Sequence, residues 1–227
     1  MAVNISKRNA GYHPDINCYV PKCDYMAGLE NGTARISFGT PAVTAAAGIL
    51  SAQSINAAVT VYRASLLSYR SDAAFGRNLV VVASGAATST VDAYGRDFYG
   101  QPMRETLTLN GTTPVVGVKA FYVLDSIVCG ATSSTTINLG WGTKFGLPAK
   151  CVNVIKETAD GVTANAGTLT APVLTDPQTA TTGDPRGLYV PTTTPDGSKQ
   201  IVIVAEFDNS VNSSDNGGYM GIAHKGS

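Results

Sequence analysis

Charge is scarce in this chain. Only 14% of its 227 residues are Asp, Glu, Lys or Arg, against roughly a quarter in ordinary soluble proteins. The 16 acids and 16 bases cancel to a formal net charge of zero. That balance argues against a nucleic-acid-binding role, which would need a basic face to neutralise phosphates. The one local excess, Lys7-Arg8, is too small to serve as an arm for DNA. Zero net charge also favours association at neutral pH, so a homo-oligomer, dimer or trimer, is expected.

Long apolar runs are missing as well. The longest, such as residues 79–83, fall far short of the ~20 residues that span a bilayer, so no membrane partner is expected. The opening MAVNISKRNAGYHP lacks the apolar segment of a secretory signal, which points to synthesis in a cytoplasm. Histidine is limited to His13 and His224, and neither sits in a nucleophile, metal or acid–base motif. There is no G-x-S-x-G elbow, P-loop, G-x-G-x-x-G or H-E-x-x-H. No catalytic, cofactor-binding or metal-ligating residue is assigned, no cofactor is expected, and the chain does not read as an enzyme.

The four cysteines are Cys18, Cys23, Cys129 and Cys151. Cys18 and Cys23 near His13 raise a zinc site, but structural zinc uses tighter C-x2-C spacing in both halves. Disulfides are disfavoured in a reducing cytoplasm, leaving free buried thiols. The candidate carboxylates for a glycosidase pair are Asp92, Asp97, Glu105 and Asp125. Without an aromatic-rich groove pattern they read as strand-end acids. Asp92 and Asp97 also supply too few alternating oxygens for a calcium loop.

What is plentiful is β signal. Residues 104–109 alternate polar and apolar, with Leu107 and Leu109 on one face and Thr106 and Thr108 on the other. Asn110-Gly111 follows, then a second β-rich run over 118–128, which predicts an antiparallel hairpin of these two strands. A doubled tetrapeptide, Asp92-Ala93-Tyr94-Gly95 and Asp97-Phe98-Tyr99-Gly100, reads as a tyrosine-rich corner. Residues 78–83 and 88–93 predict another hairpin around Ser84-Gly85. Further strands are expected at 35–38, 57–62, 134–139, 152–156, 169–174, 188–190, 200–207 and 219–224. The run 200–207, QIVIVAEF, is apolar on both faces and predicts a central, doubly covered strand. Residues 140–148 read as a Gly- and Pro-marked loop carrying Trp141.

Residues 1–34 show no sustained period and read as an irregular N-terminal arm, with Tyr12, Ile16, Tyr19 and Val20 as apolar groups that need a surface. Residues 35–227 read as one domain, an all-β antiparallel sandwich of jelly-roll type, with a long loop excursion over 158–197 whose expected job is an inter-subunit contact.

The segments 76–85 (GRNLVVVASG), Tyr94-Gly95-Arg96-Asp97, 105–113 (ETLTLNGTT), 119–121 (KAF), Gly140-Trp141-Gly142 and Gly146-Leu147-Pro148 together resemble a virion structural protein of tailed bacteriophages, most closely a head decoration or cement protein. That resemblance covers roughly 76–148. It implies a structural subunit on the capsid surface, assembled in the host cytoplasm, with the major capsid protein and copies of itself as partners. Tyr12, Ile16, Tyr19, Val20, Tyr94, Tyr99 and Trp141 are the interface candidates. A tail, neck or fibre component would share the same texture, and a carbohydrate-binding receptor-recognition module would share the fold.

Overall fold

The computed structural model describes residues 11–13, 18–20, 31–173 and 175–208. The chain is all-β, its sheets antiparallel throughout, and consistent with a β-sandwich. Among the described residues the only helical element is a single 3-10 turn at Arg63–Ser65, and no helix is long and apolar enough to cross a membrane.

The described residues form three sheets. The first runs in the order β1 (Gly11–His13), β2 (Cys18–Val20), β3 (Asn31–Gly39), β16 (Ile201–Asp208), β12 (Cys151–Ala159) and β13 (Val162–Ala164). The second has four strands, β5 (Val59–Tyr62), β10 (Val123–Cys129), β7 (Thr90–Arg96) and β8 (Pro102–Thr108). The third runs β14 (Thr168–Thr170), β15 (Leu188–Val190), β11 (Thr136–Gly146), β6 (Arg77–Ala83) and β9 (Val115–Val116), with β4 (Leu50–Ser54) also paired to β11.

Among the described residues two apolar cores hold these layers. In one, Val91, Ala93, Leu107, Leu124 and Ile127 of the second sheet meet Leu79, Val81, Ile137, Leu139 and Trp141 of the third. In the other, Ile36, Phe38, Ile203 and Phe207 of the first sheet meet Phe75, Phe145 and Tyr189. β11 is the shared spine: Ile137 to Trp141 lie in the first core and Phe145 in the second. β16 is central, between β3 and β12, as expected, but only one of its faces is fully covered: Ile201, Ile203, Ala205 and Phe207 lie in the core, whereas Val204 and Glu206 on the other face are half-buried.

Two expected hairpins are not formed. β8 pairs with β7, Leu107 opposite Val91 and Arg104 opposite Tyr94, so β7 lies between β8 and β10. The turn that makes the true hairpin is Asp97 to Gln101. Asp97 accepts from the Gln101 amide at 2.8 Å through its side chain, and Gly100 takes φ +80°, a conformation that glycine adopts without strain. At the other predicted turn it is Gly111, with φ +55°, that carries the left-handed backbone. Residues 78–83 and 88–93 also belong to different sheets, because the chain crosses the sandwich between them.

β11 continues through the stretch expected to be a loop. A Cβ on Gly140 would lie 1.7 Å from the Ala45 carbonyl oxygen, and one on Gly142 2.3 Å from Asn78 Oδ1. These glycines permit close approach and mark no turn. Within 158–197, β13, β14 and β15 are strands. The expected strand at 219–224 lies outside the described residues.

On β4, Ser51 and Ala52 together oppose Asn138, a bulge that puts Ala52 at φ +47°. Glycine is the natural occupant of that position. Ala52→Gly is expected to stabilise the fold by up to about 1 kcal/mol, the relieved strain less the extra entropy glycine loses. Denaturant unfolding checks this: the midpoint rises with the slope unchanged, and a lower midpoint contradicts the bulge.

Candidate functional site

The second sheet buries one face and presents the other. Along β8 the pattern is strict, with Met103, Glu105 and Leu107 buried and Arg104, Thr106 and Thr108 outward. The register then aligns Tyr62, Ser126, Tyr94 and Arg104 across the outer face of all four strands. Beside that row, a β-bulge between Leu124 and Ser126 brings out Asp125. Asp125 accepts from Arg96 Nε at 3.2 Å and lies 3.5 Å from Arg63 Nη2.

Arginine and tyrosine dominate this surface. The Arg104 guanidinium stands 5.3 Å from the Tyr94 ring centre and donates to Asp92 at 3.0 Å. Arg63 stacks over Tyr69 and Arg70 over Tyr122, each at 4.8 Å. Tyr62 is 68% exposed and Tyr69 45%. Four arginines (63, 70, 96, 104) face two aspartates (92, 125), an excess of two positive charges (4 − 2) on a chain whose net charge is zero. Flat, rigid tyrosines and forked guanidinia are the side chains that carry most binding energy at protein interfaces. A depression of about 330 Å³ opens beside them, lined by Tyr94, Pro102, Met103, Arg104, Asp125 and Gln178.

Beneath the edge of this face lies a cluster of buried ionic groups. Arg186, with no exposed surface, is 3.5 Å from Asp97 and 3.7 Å from Asp184. Asp184 accepts from the backbone amides of Ala120 and Arg186, both at 2.9 Å, and burial raises its pKa. Lys119 is fully buried, and its ammonium donates to the carbonyls of Pro177 and Thr179 at 2.6 and 2.7 Å. Glu105 accepts from the Val118 amide. Burial pushes its carboxyl up to about 7, opposed by that amide and by Lys119.

Of the interface candidates whose side chains the structure describes, Tyr94, Tyr99 and Trp141, it brings Tyr94 onto the outer face. Tyr99 is half-buried: its hydroxyl donates to Pro148 O at 2.7 Å and its ring lies under Arg186. Trp141 fills the core between the second and third sheets and donates to Ser68 Oγ at 3.2 Å. Tyr12 stands on β1, Tyr19 and Val20 on β2, and Ile16 lies outside the described residues. The sequence did carry a signal for the groups that were missed. Tyr-Arg recurs at 62–63 and 69–70, and Tyr-Gly-Arg at 94–96.

The four carboxylates do not face one another across a groove. Asp92 and Asp125 are held by arginines on the outer face, Glu105 points inward, and Asp97 is buried in its turn. Cys129 and Cys151 are free and buried, one in each core, and burial raises their thiols to about 11 and about 12. Cys18 stands on β2, and Cys23 and His224 lie outside the described residues. Among the described residues no group of three or more His, Cys, Asp or Glu is arranged to hold a metal ion. No family model, curated protein or solved structure matches this chain.

Proposed function

We propose that the protein is a structural subunit of a tailed-bacteriophage virion that decorates the head and cements it by bridging neighbouring capsomers. The observation that carries this proposal is the arginine–tyrosine outer face of the second sheet. It offers exposed aromatic area, forked donors and a positive excess to an acidic, flat neighbour. The major capsid protein is the proposed partner on the shell, with further copies of the chain beside it. Each contact can be weak, because repetition over a symmetric shell multiplies modest affinities into avidity. The resemblance of residues 76–148 to virion proteins points the same way, since β7, β8, β10 and β11 all fall within it.

The test is co-sedimentation of purified protein with expanded phage heads stripped of it. Tyr62→Ala combined with Arg96→Glu is expected to weaken binding at least about tenfold, the loss of one hot-spot contact and its charge. Val162→Ser, on the remote edge strand β13, is expected to change nothing. Equal binding by the face variant and the native protein rejects this face as the docking surface.

The depression beside Tyr94 favours a second function, carbohydrate recognition at the host surface. An aromatic ring flanked by Arg104, Asp125 and Gln178 is suited to a polyhydroxylated ring. Binding of host surface polysaccharide that is lost in Tyr94→Ala, with no affinity for heads, would support it over the cement function.

A further inference from the structure

The segment 175–183 runs as a strap along the free edge of the second sheet. β8 pairs with β7 on one side only. On the other side the amides of Arg104 and Thr106 donate to Pro177 O and Ala180 O, at 3.1 and 2.9 Å. An edge strand needs such a cover, because its unpaired amides otherwise invite another chain. The strap has no regular structure of its own, and its inner side is fastened by the Lys119 ammonium through Pro177 O and Thr179 O.

Glu105 lies between the two strapped amides in sequence and points into the cluster. Its surroundings contrast with those of a second buried glutamate, Glu157, which accepts from the Tyr189 hydroxyl and the amides of Thr192 and Thr193. Glu105 accepts from the Val118 amide alone, and its Oε2 is buried without a hydrogen-bond partner. Gly117 packs so closely that a Cβ there would sit 2.7 Å from that oxygen. The buried cluster holds three carboxyls (Glu105, Asp184 and Asp97) against two cations (Lys119 and Arg186), with half-buried Lys144 and exposed Asp176 at its margin. The cluster is balanced when one carboxyl holds a proton.

We propose that Glu105 is a proton-operated latch for the strap: protonated, it lets the 175–183 segment close over the β8 edge; ionised, it favours the hydrated, open strap. The sign follows from the raised carboxyl. The closed form holds the proton up to about pH 7, whereas an opened, hydrated Glu105 releases it near the ordinary value of 4.5. The proton's contribution to closure is therefore full below pH 4.5 and is lost progressively as pH rises to about 7. The strap's Gln178 borders the depression beside Tyr94 and Arg104, so its position shapes the arginine–tyrosine face. That consequence rests on the proposed interaction function; the latch itself does not.

Native-state hydrogen exchange of the full chain tests it, with each rate referred to the unprotected amide at the same pH. Protection of the Arg104 and Thr106 amides is expected to fall about tenfold per pH unit between about 4.5 and 7, then level off. The Ile203 amide in β16 serves as the remote control and is expected to keep its protection. In Glu105→Gln the two edge amides stay protected over the whole range. A parallel fall at Ile203, or the same pH dependence in Glu105→Gln, overturns the latch. Should the variant not fold, the carbon-13 titration of the Glu105 carboxyl in the native protein decides: a midpoint near 7 supports the latch and one near 4.5 overturns it. Loss of head binding with an intact exchange pattern would sink the cement function and leave the latch standing.

Discussion

Replacing Arg186 by alanine is expected to cost about 3–5 kcal/mol of folding stability at pH 7, the penalty for leaving buried charge without its partner. The guanidinium has no exposed surface and stands between Asp97 and Asp184 at 3.5 and 3.7 Å. Without it those two carboxyls repel across a site that water does not reach. Both also hold backbone, Asp97 the turn of the β7–β8 hairpin and Asp184 the amide of Ala120. The damage therefore spreads to the edge of the second sheet. Acidification should reduce the loss, because protonating Asp184, whose pKa burial raises, removes part of the uncompensated charge. The triple change Arg186→Met, Asp97→Asn and Asp184→Asn is expected to be far milder than the single one, since a neutral site of similar volume needs no counter-ion. Urea unfolding of both variants checks this; a single-variant cost under about 1 kcal/mol would show that the ion pairs contribute little.

Phe38→Ala is expected to cost a similar amount, about 3–5 kcal/mol, from lost burial and the cavity left behind. Phe38 on β3 is fully buried, and its ring centre lies 5.0 Å from Phe145 and 6.0 Å from Tyr189. Those two rings belong to β11 and β15, so Phe38 joins the first sheet to the third. Because β11 also threads the other core, unfolding of the variant should remain a single transition at a lower midpoint. A biphasic curve, with the first sheet melting ahead of the rest, would contradict β11 as a shared spine.

How far the sequence revealed this architecture depended on range. Alternation within 104–109 specified a strand and its buried face, because side-chain direction along a strand is local. The apolar run 200–207 specified a central strand but not that Val204 and Glu206 would be half-buried. Pairing is not local. Nothing in residues 104–109 says that their partner is 90–96 and not 118–128, and the turn that decides it, Asp97 to Gln101, is held by a side-chain acceptor that composition does not display. Gly140 and Gly142 look like turn residues until Ala45 and Asn78 are seen pressed against them. Asp160-Gly161 was a legible signal that the long polar stretch concealed. Both residues adopt positive φ, +50° and +79°, and join β12 to β13, as a two-residue hairpin turn requires.

The candidate face was harder to see for the same reason. Tyr94 was identifiable within its tetrapeptide, but Tyr62, Arg96 and Arg104 converge only through the order β5-β10-β7-β8. The buried ionic cluster had no local signature at all. Its members come from residues 97, 105, 119, 184 and 186, and low overall charge gave no hint that several of the few charges would be interior.

Electron microscopy of particles released from cells that carry this gene, gold-labelled on this chain, tests the central claim most directly. The cement function predicts label distributed over the head in many symmetric copies, and fewer labels when Tyr62→Ala and Arg96→Glu are introduced together. Label confined to the tail or neck, or particles without label, would contradict it.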